Sequence, residues 1–217
     1  MTLAIFDLDN TLIAGDSDHG WGQFLVEQGA VDGERYRTMN DQFYRDYENG
    51  GLDMDAYLRF SLEPLRDLPA ARLAELHARF MDSVITPMWL PRAEALLAEH
   101  RAAGDYLLVV TSTNRFIVEP ICERLGVDDL IATEPEKVAE RYTGNIVGVP
   151  SFREGKVTRM HEWLHGRDWS LDAASFYSDS INDLPLLEAV GRPVAVDPDE
   201  ALRAIAVERG WEIISLR

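Results

Sequence analysis

The stretch Leu3-Ala4-Ile5-Phe6-Asp7-Leu8-Asp9-Asn10-Thr11-Leu12-Ile13 decides how the chain is read. Its apolar opening predicts a buried strand. The strand runs out into two aspartates separated by one residue, and a threonine follows. Alternate residues of an extended segment face the same side, so Asp7 and Asp9 point together. Two carboxylates at an open strand end repel each other unless positive charge sits beside them. A divalent cation with oxygen ligands meets that need, and a carboxylate beside such a cation is placed to attack phosphorus. An Asp- and Asn-rich turn closing a strand gives the same letters with no chemistry attached. The rest of the chain has to separate the two.

Composition narrows the choice. A chain of 217 residues has room for one large domain or for a core with an insertion. Hydrophobic residues make up 46% and charged residues 27%, the balance of a soluble globular protein. No apolar run reaches the length of a membrane span, and no basic segment precedes the first strand, so a cytoplasmic location without a membrane partner is expected. Cys122 is the single cysteine, which excludes an internal disulfide and a multi-cysteine metal centre. The net charge of −17 argues against nucleic acid, whose backbone is held by basic surfaces. It also means that an anionic substrate needs a local cation, either a bound metal or one well-placed lysine.

Residues 14–88 lack strand alternation. Trp21, Phe24 and Leu25, then Tyr36, Met39, Phe43 and Tyr47, then Met54, Tyr57, Leu58 and Leu62, then Leu73, Leu76 and Phe80 recur at helical spacing. The block reads as a helical cap domain inserted after the first strand, leaving residues 1–13 and 89–217 as an α/β core. In that core a helix from Pro91 closes at Gly104, and Tyr106–Val110 forms a second buried strand ending in Thr111-Ser112-Thr113-Asn114. A short strand falls at Leu130–Thr133, and a hairpin is expected around Thr143-Gly144-Asn145. Gly155-Lys156 opens a helix, Ala173–Ser178 is a strand ending in Asp179, and two late strands follow. Strands alternating with helices predict a mostly parallel sheet covered on both faces, a Rossmann-like three-layer sandwich. Ligands of such sheets bind beyond the carboxyl ends of the strands. Three strand ends carry polar groups there: Asp7 and Asp9, Thr111 and Ser112, Asp179 and Asp183.

These motifs, in this order, resemble the haloacid dehalogenase superfamily, and within it the phosphoserine-phosphatase-like group with a helical cap. Asp7-Leu8-Asp9-Asn10-Thr11 is similar to its first motif, Thr111 to its second, Lys156 to its third and Asp179-Ser180-Ile181-Asn182-Asp183 to its fourth. The resemblance implies a phosphatase in which Asp7 attacks phosphorus and Asp9 acts as general acid and then general base. It implies Mg²⁺ held by the Asp7 carboxylate, the Asp9 carbonyl and the Asp179 carboxylate, with Asp183 either binding directly or standing behind. Thr111, Ser112 and Lys156 would hold the phosphoryl group, while Thr11 and Asn182 would support the loops.

The substrate is expected to be a small phosphorylated metabolite. In phosphoserine phosphatases a carboxylate shortly after the first motif meets the substrate ammonium, and Asp16 stands at that offset, with Asp18 and His19 beside it. The position of the family's carboxylate-binding arginine carries Ser61 here. Arg59 is two residues away, about 200° round a helix, and Arg45 is the remaining substitute. An amine without a carboxylate fits this pattern, so histidinol phosphate leads, with phosphoserine and amino-alcohol phosphates behind it. A phosphotransferase or mutase would use the same aspartyl-phosphate. A phospho-accepting module without turnover would not need Asp9.

Overall fold

A computed structural model describes residues 2–217. Leu3–Phe6 forms β1, with all four side chains buried. A strand buried on both faces needs a layer above and a layer below. Alternation supplies the contacts: Ala4 and Phe6 join one hydrophobic cluster, Leu3 and Ile5 the other. Burying side chains the size of Leu3, Ile5 and Phe6 contributes about 1.5–3 kcal/mol each.

β2 (Tyr106–Asn114) and β5 (Ser175–Ser178) flank β1, both parallel to it. β3 (Asp129–Val138) extends the sheet on one side, and β6 (Arg192–Val196) and β7 (Glu212–Ile214) extend it on the other, again in parallel. β4 (Arg141–Val147) closes one edge antiparallel to β3. The seven-stranded order is β4-β3-β2-β1-β5-β6-β7. The expected Rossmann-like, mostly parallel α/β sandwich is what the chain builds. β1 sits where the chain switches from one half of the sheet to the other, the place where such folds open a ligand crevice.

The first cluster packs α6 (Pro91–Ala103) and α7 (Arg115–Leu125) on one face of the sheet. The second packs α8 (Glu154–Leu164), α9 (Leu184–Ala189) and α10 (Glu200–Arg209) on the other. α7 runs through Pro120 instead of starting after it.

Between β1 and α6 come α1 (Ser17–Glu27), α2 (Gly33–Glu48), α3 (Met54–Ser61), α4 (Glu63–Asp67) and α5 (Ala70–Phe80), then a π-helical turn at Met81–Ile85. That is one α-helix more than the periodicity suggests, because Pro64 splits the third apolar stripe into α3 and α4. Trp21, Phe24 and Leu25 of α1 and Leu73, Leu76 and Phe80 of α5 belong to the first core cluster. Both ends of the helical segment are thus rooted in the core. α3 and α4 rest instead on the hairpin and α7, where Leu58, Leu62 and Leu65 meet Tyr142 and Ile146 of β4 and Phe116 of α7.

The hairpin turns at Ala139-Glu140, not at Thr143-Gly144-Asn145. Both turn residues adopt positive φ, 48° and 62°, the backbone that two-residue hairpin loops require. Gly144 lies within β4, where a Cβ would come 3.2 Å from the Arg66 side chain of α4. Its φ of 86° is a left-handed backbone that favours glycine, so a residue within a strand reads as a turn signal in sequence. Among the described residues no helix is long and apolar enough to cross a membrane.

Candidate active site

Asp7 stands one residue beyond β1 and donates its N–H to the Tyr177 carbonyl at 2.8 Å. Asn10 then takes positive φ, 57°, and donates to the Gly15 carbonyl at 2.9 Å. Asparagine tolerates this left-handed backbone. The tight turn folds Asp9 back beneath the start of α1.

Lys156, in the first turn of α8, is 1% exposed. Its Nζ donates to Asp7 Oδ1 at 2.7 Å and lies 2.7 Å from Asp183 Oδ1. Asp183 also accepts from Ser178 Oγ at 2.7 Å. Burial pulls the lysine pKa down, but Asp183 and Asp7 outweigh it and leave the ammonium above its ordinary range. Burial pushes the Asp7 carboxyl up to about 7; Lys156 opposes this and Asp183 adds to it.

Asp9 is held on both oxygens. Oδ1 accepts the Ser17 N–H at 2.6 Å, and Oδ2 accepts the Thr113 hydroxyl at 2.8 Å. Burial, with the neighbouring Asp16 charge behind it, raises this carboxyl to about 7. A carboxyl that titrates near neutrality can both give and take a proton. Thr11 Oγ1 donates to Asp179 Oδ1 at 3.0 Å and accepts the Asp179 N–H at 3.1 Å, which ties the first loop to the end of β5. Burial first, and the Asp7 charge second, lift Asp179 well above the usual carboxylate range.

This donor set suits Mg²⁺. Lys156 compensates Asp7 and Asp183, but the described partners of the Asp179 side chain include no cation. Among the described residues no three His, Cys, Asp or Glu side chains converge as a cage. Two carboxylates and a backbone carbonyl, with water completing the shell, are what a small hard cation takes.

Thr111, at the end of β2, is buried, and its Oγ1 accepts the Thr113 N–H at 3.2 Å. That bond leaves the hydroxyl proton for another acceptor. Ser112 lines the cleft, and its carbonyl accepts from Thr133 Oγ1 at 2.8 Å.

The cleft runs from Asp7, Asp9, Ser112, Thr113 and Asp179 up to α1, α2 and α3. Asp16 caps α1, accepting the His19 N–H at 2.7 Å, and burial followed by Asp18 raises its carboxyl to about 7. Asp18 accepts from the Tyr57 hydroxyl, and burial raises it to about 7 as well. His19 Nε2 lies 2.9 Å from Asp41 Oδ1, and the ring stacks on Tyr44 with centroids 4.4 Å apart. α1 and α2 come close because residue 22 is glycine: a Cβ there would lie 2.4 Å from Asn40 Oδ1. Asn40 in turn donates to the His19 carbonyl at 2.9 Å. Phe43, Tyr47, Leu52 and Met54 complete an aromatic and apolar wall. Among the described residues that line the cleft there is no lysine or arginine.

Asn182 lies behind the wall. It donates to the Tyr47 carbonyl at 3.1 Å and accepts from Arg153 Nε at 3.1 Å, and Arg153 also donates to the Gly50 carbonyl. The end of α2 is thus fastened to the start of α8, which carries Lys156, and to the segment that carries Asp183. Arg45 and Ser61 are not brought to the cleft. Arg45 is exposed on α2 and bonds Gln42 at 2.9 Å, while Ser61 is buried at the end of α3 outside the cleft lining. Thr113, Ser178, Tyr57, Asn40 and Arg153 were missed in the sequence. Only Thr113 carried a signal, since it shares a strand face with Thr111 at a spacing of two.

The pattern of the haloacid dehalogenase-like hydrolases matches residues 4–188. A histidinol-phosphatase of Neisseria meningitidis serogroup C is 48% identical over 219 residues, covering 99% of each chain. A phosphoserine phosphatase of Mycobacterium tuberculosis is 30% identical over 99% of this chain and 70% of its own. A crystal structure of a Bordetella pertussis Tohama I protein with unknown function superposes with a TM-score of 0.93 at 45% identity, covering all of both chains. A substrate-bound phosphoserine phosphatase shares the fold, with a TM-score of 0.72 at 19% identity over all of this chain and 93% of the other. By that match over most of its length and by its full-length relatives, the chain belongs to the haloacid dehalogenase-like hydrolases.

Proposed function

We propose that the protein is a Mg²⁺-dependent phosphatase of a small phosphomonoester whose alcohol part is cationic, with histidinol phosphate as the leading substrate. One observation carries the substrate reading. The cleft lining combines Asp16 and Asp18 with Phe43, Tyr44, Tyr47 and Tyr57 and, among the described residues, offers no lysine or arginine. An ammonium and an imidazole find acids and ring faces there, whereas a substrate carboxylate would meet Asp16 and Asp18 with no lysine or arginine to pair with. The full-length relationship to a histidinol-phosphatase supports the same choice.

In this reading the Asp7 carboxylate attacks phosphorus. The new bond to Asp7 forms as the ester P–O bond breaks, and Asp9 gives its proton to the departing alkoxide. Asp9, now ionised, takes a proton from the water that attacks the aspartyl-phosphate. Inorganic phosphate leaves and Asp7 is regenerated. Lys156 holds Asp7 in place and offsets charge, with Asp183 and Ser178 fixing the lysine. Thr111 and Ser112 receive phosphoryl oxygens. The Asp7 carboxylate, the Asp9 carbonyl and the Asp179 carboxylate would hold Mg²⁺, which supplies charge neutralisation between nucleophile and phosphate. Asp183 stands behind these ligands as the partner of Lys156. Residues 14–88 act as the cap, and α2 and α3 form the part that faces the substrate.

A panel of phosphorylated metabolites with released phosphate as the readout tests the assignment. Histidinol phosphate is expected to give the highest kcat/KM, amino-alcohol phosphates to follow, and phosphoserine to trail. A wide lead for phosphoserine would overturn the substrate reading. Faster transfer to an added alcohol than to water would make the protein a phosphotransferase.

A further inference from the structure

We propose that Thr113 is a positioning residue for Asp9, holding the carboxylate that moves the proton in both half-reactions. The proposal rests on the role of Asp9 set out above. Thr113 is 4% exposed at the end of β2, and its hydroxyl meets Asp9 Oδ2 at 2.8 Å. The opposite oxygen is held by the Ser17 N–H at 2.6 Å. One grip comes from the sheet and the other from the first residue of α1, so the carboxylate plane is fixed between core and cover.

The two grips differ in kind. A backbone N–H can only donate, whereas a hydroxyl donates or accepts. The Thr113 hydroxyl donates to one lone pair of Asp9 Oδ2 and leaves that oxygen's second lone pair open to the reacting groups. The same residue also joins Asp9 to the phosphate side of the site, because its N–H bonds Thr111 Oγ1 at 3.2 Å. Asp9 is thereby kept in register with the group that receives phosphoryl oxygens. A space-filling role at the strand end would need only the shape of the side chain, and valine supplies that shape.

Thr113→Val, Thr113→Ser and Asp9→Asn proteins separate these possibilities. Alkyl phosphates need a proton on the leaving oxygen, and p-nitrophenyl phosphate does not. Thr113→Val is expected to lower kcat on alkyl phosphates by about ten- to a hundredfold, with KM changed by less than about twofold. The first-turnover burst of p-nitrophenol should fall far less, and Thr113→Ser should recover most of the lost rate. Wild-type kcat in Thr113→Val, or an equal loss on both substrates, overturns the proposal. If Asp9→Asn itself keeps wild-type turnover of alkyl phosphates, the role of Asp9 falls, and the proposal falls with it. A collapse in Asp9→Asn beside a silent Thr113→Val removes only the proposal.

Discussion

The floor of the cleft and its cover obey different rules. On the floor, Asp7, Asp9, Thr111, Asp179 and Asp183 sit at or just beyond the ends of adjacent parallel strands, and Lys156 reaches in from one helix. The sheet fixes their spacing, and each carboxylate has a named partner. In the cover, Asp18 meets Tyr57 across 39 residues, and His19 meets Asp41 across 22. Helix packing makes those pairs, and no local pattern announces them. In the function proposed above the floor sets the reaction class and the cover sets the substrate, so substitutions in the two regions should fail in different ways.

The largest separation is expected at Lys156. Lys156→Met leaves Asp7 and Asp183 buried without their cation. Removing one partner of such a pair costs about 3–5 kcal/mol of stability. Loss of a charge that supports the reacting groups lowers kcat by a further ~10²–10³. Thermal melts and kcat should fall together, on every phosphate ester tried. A well-folded, active Lys156→Met protein would break the distinction between floor and cover.

Cover substitutions should move KM and leave chemistry intact. Asp18→Asn is expected to raise KM for a cationic phosphomonoester by roughly ten- to a hundredfold, the worth of one hydrogen bond to a charged group. Tyr57→Phe, which removes the hydroxyl partner of Asp18, should do the same to a smaller degree. Neither should change turnover of p-nitrophenyl phosphate. A matching loss on that substrate, whose alcohol part carries no cation, would move Asp18 from the cover to the floor.

The smallest effect is on stability. Asp16 and Asp18 stand at about 7 in the folded chain, against about 4 in an unfolded one. Folding raises both, so their favourable contribution is complete below about pH 4 and is lost as pH rises through about 7. The metal-free protein should melt a few degrees higher at about pH 5.5 than at about pH 8. Scanning calorimetry at the two values checks the sign. A higher melting temperature at the alkaline value would mean that other groups outweigh these carboxyls.

The contrast also explains what the sequence made legible. The parallel sheet could be read because β1 and β2 are short apolar runs ending in polar clusters, and those clusters mark the floor. The hairpin turn could not, because Ala139 and Glu140 carry no turn chemistry while Gly144 does. Sequence offset points to Ser61, with Arg45 as a substitute from the preceding helix, and the packing of α2 and α3 leaves both outside the cleft lining. Gly22 shows the same limit: its purpose is the 2.4 Å that a Cβ would leave to Asn40, a distance between two helices. Thr113 lay in plain view within Thr111-Ser112-Thr113, but its partner is 104 residues away.

The central claim is that Asp7 becomes phosphorylated and Asp9 is needed to clear the phosphate. Asp9→Asn protein should still be phosphorylated by p-nitrophenyl phosphate, whose leaving group requires no proton, and should then stall. Acid quenching followed by intact-mass and peptide analysis is the direct measurement. The account predicts one phosphoryl group per chain, located on Asp7 and absent when Asp7→Asn is added. A full burst of p-nitrophenol with no covalent phosphate, or with phosphate on another residue, would contradict it.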